Sequence, residues 1–165
     1  GKMRLKRPLT TGYRLPSEAE WAYAARFAGR QQAARFPWPG DTFPPVDVQG
    51  NFGDTSARGV VPLVLEGYRD GYPATAPVGS FSANAAGLYD VGGNVAEWVQ
   101  DYYAVYPAVV GKTARDPMGP DQGRHHVVRG SSWRDAGISE LRLSYRDYSE
   151  RPRDDLGFRV ARFAR

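Results

Sequence analysis

Two groups of oxygen-bearing residues are able to hold a hard cation. The run Asp90-Val91-Gly92-Gly93-Asn94-Val95-Ala96-Glu97 sets two carboxylates around a double glycine, where the backbone can curl and aim carbonyls inward. Calcium takes about six to eight oxygens at about 2.3–2.6 Å, commonly mixing carboxylates with carbonyls. The ligand spacing is not that of an EF-hand loop, and a glycine-rich turn with solvated acids accounts for the same residues. The second group joins Asn51-Phe52 to Asp70-Gly71-Tyr72, two polar–aromatic pairs that offer amide, carboxylate and backbone oxygens.

Other chemistries find little to work with. His125 and His126 are the only histidines and are adjacent, so in a strand they face opposite ways and cannot share a site. A zinc or iron centre with several imidazole ligands is therefore excluded within this chain. Ser131, Ser132 and Asp135 near those histidines lack nucleophile-elbow spacing. Gly92-Gly93 belongs to no phosphate-loop pattern. The chain has no cysteine, which removes disulfides, thiolate metal sites, a cysteine nucleophile and dithiol redox chemistry.

The third candidate is an arginine- and tyrosine-rich C-terminal surface built by Trp133, Arg134, Asp135, Ser139, Glu140, Tyr145, Arg146, Asp147 and Tyr148. Arg and Tyr are enriched in binding hot spots. The plainer account is a sheet whose arginines pair with Asp135, Glu140, Asp147, Asp154 and Asp155. Charge distribution bears on the same segment. Of 165 residues, positions 1–123 carry twelve Lys or Arg and twelve Asp or Glu, whereas 124–165 carry ten Arg against six acids, the whole net +4. Arginines interleaved with carboxylates read as paired guanidinium groups rather than a phosphate-tracking stripe, so nucleic acid is not the expected partner.

The elements that position these residues are unevenly legible. Ser17 and Glu20 form a capping-box pattern behind Pro16, and Trp21, Ala24, Ala25 and Ala28 follow as one apolar stripe with Gly29 as the expected stop. Residues 36–81 hold seven prolines and no sustained period. A stretch that long needs an internal organiser, and a bound ion would be one. Val95–Tyr103 fits strand or short helix. His126–Arg129, Leu141–Arg146 and Phe158–Phe163 alternate as short strands. No apolar run is long enough for a membrane-crossing helix. The chain reads as one α+β domain, rich in coil, with one capped N-terminal helix on a small antiparallel sheet.

The run Tyr13-Arg14-Leu15-Pro16-Ser17-Glu18-Ala19-Glu20-Trp21-Ala22-Tyr23-Ala24-Ala25-Arg26 resembles a signature of the formylglycine-generating enzyme (sulfatase-modifying factor) family. So do Gly87-Leu88-Tyr89-Asp90-Val91-Gly92-Gly93-Asn94-Val95-Ala96-Glu97-Trp98 and Val128-Arg129-Gly130-Ser131-Ser132-Trp133. Leu141–Arg146 and Leu156–Ala161 resemble the closing motifs, in the family's order. The resemblance implies a C-type-lectin-like fold of the formylglycine-generating type. It also implies one calcium at Asp90, Gly93, Val95 and Glu97 and a second at Asn51, Phe52, Asp70 and Tyr72.

Two departures shape the functional expectation. Family domains carry a further stretch ahead of the Arg14-Leu15-Pro16 motif. Residues 1–12 are therefore expected to be an arm or seam, and 13–165 the C-terminal portion of a domain completed by a companion segment or chain. The family's oxidase also uses two cysteines to bind copper, the first just after the Trp133 motif, where this chain reads Arg134-Asp135-Ala136-Gly137-Ile138-Ser139-Glu140. The expectation is a non-catalytic, calcium-stabilised binding or scaffold domain for an unknown protein or small-molecule ligand, in an extracytoplasmic space. One variant is a retroelement-diversified binder, since Arg134–Ser139 are reachable from asparagine codons. The alternatives are a cysteine-independent metal oxidoreductase, similar to the ergothioneine or pyoverdine branches, and a structural accessory domain.

Overall fold

The computed structural model describes residues 12–106 and 114–163; the expected arm at 1–12 lies almost wholly outside them. Pro16 and Ser17 start helix α1 (Glu18–Arg26) as the sequence requires. Ser17 Oγ accepts the Glu20 N–H at 3.2 Å, and the Glu20 carboxylate accepts the Ser17 N–H at 2.8 Å. Arg14 clamps the same carboxylate with two bonds of 2.6 and 2.7 Å. Trp21 and Ala25 of the stripe are buried, with Ala24 and Ala28 half-buried beside them. The helix ends at Phe27 rather than running to Gly29. Gly29 instead takes φ +72° in the following turn, where a Cβ would lie 2.7 Å from the Ala85 carbonyl oxygen.

Four strands follow: β1 (Ala96–Tyr102), β2 (His126–Arg129), β3 (Arg146–Ser149) and β4 (Leu156–Phe158), in spatial order β3-β2-β1-β4. The ambiguous 95–103 segment is thus strand. β2 pairs antiparallel with β1 and β3, but β4 runs parallel to β1 in the register Glu97 with Gly157. The sheet is therefore mixed rather than antiparallel, because the chain leaves the β3 edge and crosses to the opposite one. Leu141–Arg146 is not a strand until Arg146. Its alternation has another cause: Leu141 fills one hydrophobic cluster and Leu143 another, so the segment bridges two cores through turns. At 158–163 only Phe158 belongs to a strand, followed by a single bridge between Ala161 and Arg14.

One core cluster lies beneath α1, with Trp21, Val91, Val99, Val127 and Leu143. A second organises the proline-rich stretch, with Phe36, Trp38, Phe52, Leu65 and Tyr68, and a small third joins Ala57, Val61 and Trp133. Phe36 stacks on Trp38 at 4.6 Å between centroids, and Phe52 meets Trp38 edge-on at 5.6 Å. Aromatic packing thus supplies much of the order the missing periodicity withheld.

A buried ion cluster locks α1 to the sheet. Glu18 accepts two bonds from Arg146, at 2.6 and 2.8 Å, with Arg129 3.7 Å away. Glu18 and Arg129 are nearly solvent-free, so the charges depend on one another. Ser17→Ala is expected to lower stability by about 1 kcal/mol. Glu18→Ala, which strands two guanidinium groups, is expected to cost about 3–5 kcal/mol in urea unfolding.

Candidate functional site

The second predicted cluster is brought together. Asn51 and Phe52 are fully buried, and the Phe52 N–H donates to Asp70 Oδ2 at 2.9 Å. Tyr72 N–H donates to Asp70 Oδ1 at 2.7 Å, so one carboxylate ties the two polar–aromatic pairs together. Burial pushes the Asp70 carboxyl up to about 6, against the pull of the Tyr72 and Phe52 N–H groups, and the neighbouring Asp54 charge adds to the rise. Asn51 Nδ2 donates to the Ala74 carbonyl at 2.7 Å, but its Oδ1 is buried with no partner. Asn51 Oδ1 is an orphaned amide oxygen, and Asp70 has backbone N–H partners but no cationic side chain on it among the described residues, so these oxygens are of the kind that suits a calcium ion.

Asp54 is a residue sequence reasoning missed. Fully buried, it caps the short 3₁₀ turn Thr55–Ala57 by accepting the Ser56 N–H at 2.7 Å, and it also accepts the Asp70 N–H. The Asp-x-Ser spacing was the available signal.

The first predicted cluster is built differently. Gly92 and Gly93 permit close approach: a Cβ at Gly92 would meet Pro37 at 2.8 Å, and one at Gly93 would meet the Asn51 carbonyl oxygen at 2.7 Å. Val95 packs against Gly157, which has no room for a side chain. Asp90, at φ +53°, uses Oδ2 to accept the Gly79 N–H at 2.8 Å. Glu97 is buried and accepts Trp21 Nε1 at 2.7 Å and Arg159 at 2.6 and 2.5 Å. The same guanidinium donates to the carbonyls of Tyr89 at 3.0 Å and Asp90 at 3.4 Å. Arg159 thus supplies the positive charge for Glu97 and for carbonyls in this loop. As arranged, Glu97 is already neutralised by a guanidinium, which leaves its carboxylate no charge for an ion to balance. The motif Leu156-Gly157-Phe158-Arg159 carried the signal, through its glycine and arginine two residues apart.

The C-terminal candidates divide by burial. Trp133 is buried against Ala57 and Val61, with Arg134 stacked over its ring at 4.3 Å. Arg134 pairs with Asp154 at 2.5 Å and Arg153 with Asp147 at 2.8 Å and Asp155 at 2.9 Å, the interleaved pairing foreseen for this segment. Asp135 accepts the Ser132 N–H at 2.7 Å and its hydroxyl at 3.0 Å, and burial raises its carboxyl above the usual range. Arg146 is committed to Glu18 and the Ala104 carbonyl. Ser139 is exposed, Glu140 and Tyr145 are partly exposed, and Tyr148 lies half-open over Tyr103 and His125. His126 turns the other way, buried against Tyr102 at 4.2 Å, and burial lowers its pKa. No group of three or more His, Cys, Asp or Glu suited to a metal occurs among the described residues.

Compared with known families, residues 1–164 match FGE-sulfatase, the sulfatase-modifying factor enzyme 1-like domain. The chain belongs to this family. It is 40% identical over 124 residues to the formylglycine-generating enzyme of Thermomonospora curvata, covering 74% of this chain and 39% of that protein. Among solved structures, Treponema denticola variable protein 1 superposes with a TM-score of 0.68 at 30% identity, covering 91% of this chain and 47% of the other. PvdO from Pseudomonas aeruginosa gives 0.66 at 33% identity, covering 92% and 53%. The chain therefore spans less than half the length of the formylglycine-generating enzyme it matches and about half of each of these two solved structures.

Breaking the Glu97–Arg159 pair gives a direct reading of this site. Arg159→Ala and Glu97→Ala are each expected to cost about 3–5 kcal/mol, because the remaining charge is left buried. In a double-mutant cycle the combined loss should fall well short of the sum. Additive losses would show that the two groups are neutralised separately.

Proposed function

We propose that this chain is a non-catalytic, calcium-stabilised binding or scaffold domain of the FGE-sulfatase family. The observation that carries the reading is the segment after Trp133. The family's oxidase resemblance calls for a thiol there, and Arg134–Glu140 offers none in a chain without cysteine. Without a thiolate, neither the copper site nor the cysteine chemistry of that oxidation is available. The same segment is instead held in a guanidinium–indole stack and an ion pair.

Asn51 and Asp70 would hold the calcium, with the backbone of Phe52 and Tyr72 beside them. The ion would supply charge balance and stiffness to the proline-rich stretch. Ligand recognition falls to the exposed or half-exposed Ser139, Glu140, Asp147 and Tyr148, while Trp133 and Arg146 hold that surface from below. This division follows the rule that binding loops ride on a rigid scaffold. A calcium-rich extracytoplasmic compartment suits such a domain.

A second reading, a cysteine-independent metal oxidoreductase, draws on the likeness to PvdO over 92% of the chain. Metal analysis separates the two: stoichiometric iron or copper in the purified protein favours the oxidoreductase.

Calcium at about a hundred times its dissociation constant should raise unfolding stability by about 2.7 kcal/mol, and a chelator should remove the gain. Asn51→Ala and Asp70→Ala should each abolish the response, whereas Asp90→Ala should leave it. With copper(I), oxygen and a sulfatase-type cysteine peptide, no aldehyde product should form. An aldehyde product, or melting indifferent to calcium, would overturn the proposal.

A further inference from the structure

A hollow of about 600 Å³ opens between the start of α1 and the loop that leads into β2. Small-molecule sites usually measure about 300–1,000 Å³, so the volume is of that kind. Ala19 and Ala22, neighbours on one face of the helix, form one wall. Pro117, Met118 and Pro120 of the loop form a second. Val105 and Tyr106, just past β1, line it while 83% and 63% exposed. None of these apolar residues belongs to the calcium reading or to the C-terminal recognition surface.

Three charged side chains reach the hollow, and each is answered from within the protein. Glu18 accepts two bonds from Arg146, at 2.6 and 2.8 Å. Arg146 gives a third to the Ala104 carbonyl at 2.9 Å and lies over the Tyr106 ring at 4.0 Å. Asp101 is buried, and its two oxygens accept the Glu18 and Gly119 N–H groups at 2.8 Å each. With Arg129 3.7 Å from Glu18, two carboxylates stand against two guanidinium groups. A cationic ligand would meet Arg146, and an anionic one Glu18 and Asp101. Either would give up hydration without finding a free counter-charge. An uncharged apolar molecule has little hydration to lose and takes apolar wall out of water. We infer that the hollow between α1 and the 117–120 loop binds an uncharged apolar small molecule.

Asp101 sets the spacing of the walls. By holding the first N–H of α1 and the Gly119 N–H, one buried carboxylate pins helix and loop together. Gly119 has no room for a side chain, since a Cβ would collide with the Tyr102 carbonyl. Pro117 and Pro120 restrict the loop further. Arg146 holds Ala104 by its carbonyl, which places Val105 and Tyr106. Walls fixed in advance spare a ligand the ordering cost. Met118, unbranched and polarisable, lets the loop wall adapt to the ligand's shape.

The test uses the full chain with calcium present. Benzyl alcohol, benzylammonium and benzoate share one ring and differ in charge. Each is titrated in and followed by backbone amide NMR shifts and by the methyl signal of Met118, one of two methionines in the chain. Benzyl alcohol should saturate with a dissociation constant on the order of 1–10 mM, its shifts centred on residues 19, 22, 105–106 and 118–119. Both ions should bind at least about fivefold more weakly. Ala19→Leu puts into the hollow a side chain that helices accept nearly as well as alanine. It should weaken benzyl alcohol about fivefold or more while the melting temperature holds. Should that variant fail to fold, Met118→Ala should weaken the alcohol about two- to threefold through lost apolar contact. No saturation, shifts centred elsewhere, or an ion binding as tightly as the alcohol would overturn the inference. So would an Ala19→Leu protein that melts and binds like the wild type.

Discussion

The pair between Glu97 and Arg159 holds four separate parts of the chain at one point. Glu97 belongs to the central strand, Arg159 follows the edge strand β4, Trp21 comes from the helix, and the carbonyls of Tyr89 and Asp90 from the loop before β1. A buried carboxylate is costly unless charge and hydrogen bonds both answer it, and here three N–H donors do so. The parallel pairing of β4 with β1 is what brings Arg159 within reach. Gly157 is what lets the strands approach, since a side chain there would collide with Val95. The geometry of the pair and the topology of the sheet are thus one constraint.

Around that junction the molecule separates rigidity from recognition. Glu18, Arg129 and Arg146 lock the helix to the sheet from the other side. The aromatic cluster of Phe36, Trp38, Phe52 and Tyr68 does the same for the coil, and Tyr68 closes it by donating to the Gly50 carbonyl at 2.6 Å. Asp70 hangs from this cluster, bonded to backbone and with no cationic side chain paired to it among the described residues. It is the carboxylate around which the calcium reading turns. Its raised pKa has the same origin: burial without a counter-charge.

The readable parts of the sequence were those ruled by local geometry. A capping box satisfies orphan N–H groups within four residues, so Ser17 and Glu20 announced α1 without help from the rest of the chain. The pairing of Asn51-Phe52 with Asp70-Tyr72 was visible because the polar–aromatic pattern occurs twice in a stretch with no other order. Paired arginines were foreseeable from interleaved charge. The partners were not: Arg146 was expected to match a nearby acid and instead meets Glu18, 128 positions away. Leu141 and Leu143 imitated a strand because alternate residues also serve two cores separated by a turn.

By itself the sequence determined the helix, the α+β class, the family and the absence of thiol chemistry, since each depends on residue type or short-range spacing. Only the tertiary structure decided what meets each carboxylate. Glu97 looked like an ion ligand because its spacing to Asp90 allowed one, yet a guanidinium 62 residues on takes that place. Asp70 meets backbone N–H groups from Phe52 and Tyr72, which no sequence period connects to it. Electrostatic partnership acts across space with little regard for chain distance, so it is fixed last, by the fold that brings charges together.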